Sequence, residues 1–185
     1  MTFLLINCHE LKSQNEIFYT TLFDLIQSRA LPSIAPLIRH KALEIMKIMS
    51  TNTESIARIE YMGNTIPLIR MIESSESPHA LGCVIEILRN ICVVRKPMIE
   101  ALVVKEKIVS RIFTVINVSV ETKKASVGYF TFLMNEYPQY CVLLSEALSW
   151  FIDYLNYEDD LELAIKTQRL LTCICRETYI CREVS

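Results

Sequence analysis

The chain has 185 residues, and its 19 basic and 21 acidic side chains leave a formal net charge of −2. This near balance lacks the marked basic excess that is typical of proteins that bind nucleic acid. With 51% hydrophobic residues and only three glycines, the composition also argues against a loop-rich or all-β protein. No apolar run approaches the roughly 18 residues that a membrane-spanning helix needs.

One six-residue pattern recurs four times along the chain. Two apolar residues, one polar, two apolar and one polar occupy residues 22–27, 68–73, 112–117 and 151–156. The steps between first residues are 46, 44 and 39, a period that is typical of stacked helical repeats. We therefore predict one all-α domain made of about four three-helix repeats. The repeats are expected at approximately residues 1–51, 52–95, 96–137 and 138–185.

The apolar spacing predicts about twelve helices, three to a repeat. In chain order they cover about Thr2–Lys12, Glu16–Arg29, Ser33–Met49, Glu54–Met62, Ile66–Ser74, Pro78–Val94, a helix from Pro97, Glu106–Asn117, Glu121–Glu136, a helix from Pro138, Ser145–Asn156 and Glu158–Arg182. Ser77 followed by Pro78 predicts an N-cap and a first turn. Gly63-Asn64 predicts a helix end. Asn156, with Asp159 three residues later, predicts the N-cap of the last helix.

Five aromatic residues in the second half recur at helical spacing. They could form a stacking platform for nucleic-acid bases or part of the core. Without a basic stripe beside them, the core interpretation is favoured. These residues are Tyr129, Phe130, Phe132, Phe151 and Tyr154.

The seven cysteines are odd in number and irregularly spaced, so they form no recognisable disulfide framework. We expect reduced, mostly buried thiols in an intracellular protein, in the cytoplasm rather than the nucleus. Cys173 and Cys175 lie two residues apart on a predicted helix and point about 200° apart. Their thiolates cannot readily face one ion, so we predict no metal and no cofactor.

Two stretches of the second repeat resemble armadillo repeats. Gly63-Asn64-Thr65-Ile66-Pro67-Leu68 resembles the family's glycine turn and Ile-Pro-x-Leu helix start, and Leu88-Arg89-Asn90-Ile91 is similar to its third-helix signature. The resemblance covers residues 54–94, and HEAT repeats have a similar length, so the chain resembles the armadillo/HEAT-like family. That resemblance implies a right-handed α-solenoid whose third helices line a concave groove for a partner.

The third helices carry the candidate binding residues. The resemblance places Asn90, and roughly Asn135, at positions where the family binds extended peptides, although Glu86 stands where a tryptophan is usual. A local basic excess in the first half indicates either attraction of an acidic peptide or an ordinary solvated helix face. Asn90 either bonds a peptide backbone or bridges groups of its own repeat. The predicted partner-binding residues are Arg39, Lys47, Glu86, Arg89, Asn90, Lys124 and Asn135.

The sequence shows no nucleophile motif and no glycine-rich phosphate loop. We therefore expect a non-catalytic adaptor or scaffold that binds a protein partner, with nucleic acid not the expected ligand. The alternative is a structural segment of a longer or self-associating solenoid, because both ends of the chain are apolar. The apolar end residues are Phe3, Leu4, Leu5, Ile6, Leu170, Leu171, Ile174 and Ile180.

Overall fold

The computed structural model describes residues 17–27, 35–61, 65–74, 77–157 and 160–183, with backbone alone at 35–36, 58–61 and 178–183. These residues form helices and short connections without a strand, so the predicted all-α class is confirmed. The helices are α1 (residues 17–27), α2 (Ala35–Met49), α3 (Thr53–Tyr61), α4 (Thr65–Glu73), α5 (Pro78–Val94), α6 (Pro97–Glu100), a π-helical turn (Ala101–Lys105), α7 (Ile108–Val115), α8 (Val120–Glu136), a 3₁₀ helix (Pro138–Ala147), α9 (Leu148–Leu155) and α10 (Leu161–Glu183). The predicted helix Thr2–Lys12 and the break at Gly63-Asn64 lie outside the described residues.

Four long helices pack in chain order, α2 on α5, α5 on α8 and α8 on α10. Three side-chain hydrogen bonds between these helices or the residues beside them join partners that are 38–40 residues apart in the sequence. Asn90 bonds Ser50 across 40 residues, Lys96 bonds Glu136 across 40, and Cys173 bonds Asn135 across 38. The long helices therefore lie side by side in nearly one register. The shorter helices α4, α7 and α9 form a second layer, in which α4 contacts α5 and α7, and α9 contacts α10.

The ends of the long helices follow from local side-chain chemistry. Ser77 Oγ accepts a hydrogen bond from Ala80 N at 3.3 Å, and Pro78 stands in the first turn, which confirms the predicted N-cap. Asp160 caps α10, because its Oδ1 accepts from Leu163 N at 3.0 Å. The prediction that Asn156 caps this helix is wrong, since Asn156 instead ends α9.

The connection between α6 and α7 makes its turn without a glycine. Ala101–Lys105 is π-helical, and Lys107 then takes a left-handed conformation with φ 51°. A side chain with a Cβ pays roughly 1 kcal/mol for that conformation. The predicted helix start at Glu106 is therefore two residues early. The predicted start at Ser145 is also early, because the 3₁₀ helix runs to Ala147 and α9 begins at Leu148.

An aromatic cluster forms the core between α8 and the shorter helices. The Phe130 ring lies 5.3 Å from that of Phe113 on α7 and 6.1 Å from that of Phe151 on α9. Trp150 meets Phe113 edge-on with centroids 6.0 Å apart. Four of the five predicted core aromatics, Tyr129, Phe130, Phe151 and Tyr154, are buried, and Phe132 is partly buried against them, which confirms the core interpretation. Burial of side chains of this size contributes about 1.5–3 kcal/mol each.

The described C-terminal end of the chain differs from the predicted apolar face. Leu170 and Ile174 are buried among their own neighbours. The apolar surface at this end instead lies on α9 and the start of α10. The exposed side chains there are Ile152, Leu155, Leu161 and Ile165. Residues 3–6 and the side chain of Ile180 lie outside the described part.

Candidate functional site: a groove lined by the four long helices

Two adjoining depressions open on one side of the long helices. Their volumes are about 160 Å³ and 400 Å³, and both are lined by Lys47 of α2, Glu86 of α5 and Lys166 of α10. Helices α2 and α10 thus border the same space although α5 and α8 separate them in the packing order. We call this surface the groove. Its lining residues are Lys47, Ile48, Thr51, His79, Gly82, Cys83, Glu86, Arg89, Asn90, Glu121, Lys124, Glu162 and Lys166.

Ion pairs join the helices along the groove. Lys47 Nζ lies 3.3 Å from a Glu86 carboxylate oxygen and so connects α2 with α5. Lys124 Nζ on α8 lies 2.8 Å from Asp160 Oδ2 and 3.1 Å from Glu162 Oε2. Pairs that are partly exposed in this way contribute little stability, typically 0–1 kcal/mol. Their main effect is to fix where each charge stands.

The pairing keeps these groups ionised. Burial opposes the charge on Lys47, but the attraction and hydrogen bond of the Glu86 carboxylate, with smaller contributions from other groups, raise the pKa of Lys47. The hydrogen bond to Asp160 is the main cause of the raised pKa of Lys124. The same bond, together with that from Leu163 N, lowers the pKa of Asp160. The smaller depression is lined by three lysines and three glutamates, so its charges nearly compensate.

The groove brings together five of the seven predicted partner-binding residues. These five are Lys47, Glu86, Arg89, Asn90 and Lys124. Arg39 is held elsewhere, because its Nε donates to the Ile26 carbonyl of α1 at 3.0 Å. Asn135 is exposed and accepts a hydrogen bond from Cys173 Sγ at 3.1 Å. Neither residue lines the two depressions.

Asn90 makes contacts within the protein. Its Nδ2 donates to Ser50 Oγ at 2.9 Å, and its Oδ1 accepts a long 3.4 Å bond from Arg89 Nη2. Ser50 is fully buried and donates in turn to the Lys47 carbonyl at 2.7 Å. The amide therefore ties α5 to the end of α2, which belongs to the preceding predicted repeat, so this bond is not the predicted bridge within its own repeat.

Sequence reasoning missed a cluster at one end of the groove, made by His40, Glu44 and His79. Glu44 Oε1 lies 3.4 Å from His40 Nε2 and 3.2 Å from His79 Nε2. The two imidazole rings stand 4.0 Å apart between centroids at 33°. The sequence carried two weak signals of this cluster. His40 and Glu44 are four residues apart and so share one helix face. His79 follows His40 by 39 residues, the same separation as between Lys47 and Glu86.

The described cysteines are reduced, but they are less buried than predicted. Cys83 and Cys92 are buried, Cys141 and Cys173 are half-buried, and Cys175 is exposed. Burial raises the pKa of Cys92 to about 12 and also raises that of Cys83. These two thiols therefore stay protonated and behave as small apolar side chains.

Comparison with known proteins finds no matching family model, curated protein or solved structure. Within the described part of the chain, no helix has both the length and the apolar character required to cross a bilayer.

Proposed function

We propose that this protein is a non-catalytic interaction module, an adaptor or scaffold of the armadillo/HEAT-like solenoid kind, that binds a segment of a protein partner in the groove. The observation that carries the proposal is that Lys47 on α2, Glu86 on α5 and Lys166 on α10 line one depression. A surface to which every long helix contributes suits an extended or helical segment running across the stack.

The groove's ion pairs suggest how a partner is recognised. Lys47 is paired with Glu86, and Lys166 Nζ lies 2.8 Å from Glu162 Oε1. An acidic side chain of the partner can replace either glutamate at little cost, because these pairs are partly exposed and contribute little stability. Such exchange confers specificity and sensitivity to salt more than affinity. An acidic or extended peptide segment is accordingly the partner that we propose.

Self-association is the second candidate function. Leu161 is 74% exposed, Ile152 is 54% exposed and Ile165 is 42% exposed. Together with Leu155, these side chains give α9 and α10 an apolar surface. A further depression lies there, and its lining includes Leu155, Tyr157 and Leu161. Grouped apolar exposure of this kind is typical of contacts between protein chains.

Site-specific photo-crosslinking in cells tests the groove. A photoreactive amino acid replaces Thr51, which is exposed and lines the larger depression. The matched control carries it at Thr114, which is exposed on α7. We expect a defined set of adducts, identified by mass spectrometry, from position 51 alone. Equal adducts from both positions would contradict the groove as the binding surface.

Charge reversal adds a second arm to this experiment. Arg89→Glu in the position-51 protein should lower adduct yield about tenfold, because the groove then repels an acidic segment. Lys105→Glu, an exposed position outside the groove lining, should leave the yield unchanged. Light scattering on the purified protein separates the two candidate functions. A monomer supports the adaptor, whereas a larger mass that Leu161→Gln abolishes supports assembly.

A further inference from the structure

The cluster of His40, Glu44 and His79 has the composition of a metal site. Its three side chains offer two imidazole nitrogens and one carboxylate oxygen, and all three donor atoms lie within 4.8 Å of one another. His40 and Glu44 stand one turn apart on α2, whereas His79 comes from the first turn of α5. Among the described residues, no other group of three or more His, Cys, Asp or Glu side chains brings its donor atoms this close together.

The distances fit one particular coordination geometry. Zn²⁺ binds imidazole nitrogen and carboxylate oxygen at about 2.0–2.2 Å in a tetrahedron, so two ligand atoms on the same ion stand about 3.3–3.5 Å apart. Glu44 Oε1 lies 3.4 Å from His40 Nε2 and 3.2 Å from His79 Nε2. Both separations are close to tetrahedral edges, and the two imidazole donor atoms lie within 4.8 Å of each other.

One ligand atom is left without a direct partner of suitable geometry. His79 Nε2 is shielded from solvent and makes no aligned hydrogen bond among the described residues, although Glu44 Oε1 is close. A buried polar atom of this kind usually has a partner. An ion placed between the nitrogen and the carboxylate supplies that partner, because a lone pair then meets a cation.

The surroundings of Glu44 prepare it as a ligand. Lys41 Nζ donates to Glu44 Oε2 at 2.7 Å, which leaves Oε1 directed at the two imidazoles. Outer contacts that orient a ligand in this way are usual at metal sites.

We propose that His40, Glu44 and His79 bind one Zn²⁺ ion, with water as the fourth ligand. The three side chains are between a quarter and two fifths exposed, so the site lies at the protein surface although His79 Nε2 itself is shielded. The site joins α2 to α5 at one end of the groove. It goes beyond the proposed interaction function and stands or falls independently of it.

The test measures zinc binding by the full-length protein. The protein is freed of metal with a chelator, and Zn²⁺ is titrated in competition with a chromophoric indicator. We expect one ion per chain, and affinity should fall about 100-fold or more in Glu44→Gln and in His79→Asn, since each loses one of three ligands. The double variant Cys173→Ser/Cys175→Ser is the control and should bind as the wild type does.

Two further measurements distinguish the proposed site from zinc binding by thiolates and from effects of misfolding. Co²⁺ bound in place of Zn²⁺ should give d–d absorption without a sulfur-to-metal charge-transfer band, because no thiolate is a ligand. Zn²⁺ should also raise the Tm of the wild type but not that of Glu44→Gln, and circular dichroism of the metal-free variants verifies that each is folded. Zinc binding that survives Glu44→Gln, or that disappears in the cysteine variant, would overturn the site, as would absence of binding by the wild type.

Discussion

The two sides of α8 differ sharply. On the side of α7 and α9, Phe130 is fully buried among aromatic rings. On the groove side, Lys124 is about a fifth exposed and pairs with two carboxylates near the start of α10. The aromatic side excludes water and depends on shape, whereas the groove side depends on charges that solvent also reaches.

This difference separates the residues that hold the fold from those that can serve function. Truncation of a buried ring leaves a cavity that its neighbours cannot close. Removal of one groove side chain leaves its partner in contact with water, so the loss is small. The groove can therefore change its side chains, and with them its partner, while the helices stay in place.

The largest effect should come from the aromatic side. Phe130→Ala is expected to lower the free energy of unfolding by about 3–5 kcal/mol, because the buried ring is lost and a cavity remains. Urea denaturation followed by circular dichroism measures this change. Ile152→Ala on α9, where the side chain is 54% exposed, is the control and should change it by less than about 0.5 kcal/mol. Similar losses in the two variants would remove the distinction between the two sides.

An intermediate effect is expected from the bond between α5 and the end of α2. Asn90→Ala removes the 2.9 Å bond to Ser50 Oγ and should cost about 0.5–1.5 kcal/mol of unfolding free energy. A double-mutant cycle with Ser50→Ala isolates the contribution of the pair. A coupling energy near zero would show that the bond does not stabilise the fold.

The smallest effect should depend on pH. The pKa of Asp160 is lowered by Lys124 and Leu163 N below its usual 3.8, so its ionisation stabilises the folded state above that value. This contribution is lost as pH falls through the lower folded-state pKa. Asp160→Asn retains an N-capping side chain but has no charge. We expect its Tm to lie below that of the wild type near pH 7.

Acidification supplies the control for this variant. The Tm difference should shrink below about pH 4 and close at lower pH, because the wild-type carboxyl is then protonated as well. The carboxylates of Glu44, Glu121 and Glu162 also have lowered pKa values but are present in both proteins. A difference that stays constant with pH would assign the effect to the cap alone.

Local patterns predicted much of the fold. Apolar spacing identified the long helices, and Ser77 with Pro78 marked the start of α5, because these signals act within one or two turns. Contacts between helices were harder to predict. The Lys47–Glu86 pair and the cluster of His40, Glu44 and His79 depend on the register of α2 against α5, which only packing decides. The turn at Lys107 was missed because glycine is the residue that usually marks it.

A glycine on α8 lies next to Arg89, a residue that lines the groove, and so affects which partners the groove can prefer. At Gly128 on α8, an added Cβ would come within 3.3 Å of Arg89 Nη1, so the absence of a side chain lets the guanidinium approach α8 closely. Alanine at this position would shift the guanidinium by only a few tenths of an ångström, whereas a longer side chain would shift it further. A substitution at position 128, by natural variation or by protein engineering, can therefore change where a positive charge stands in the groove without changing a groove residue.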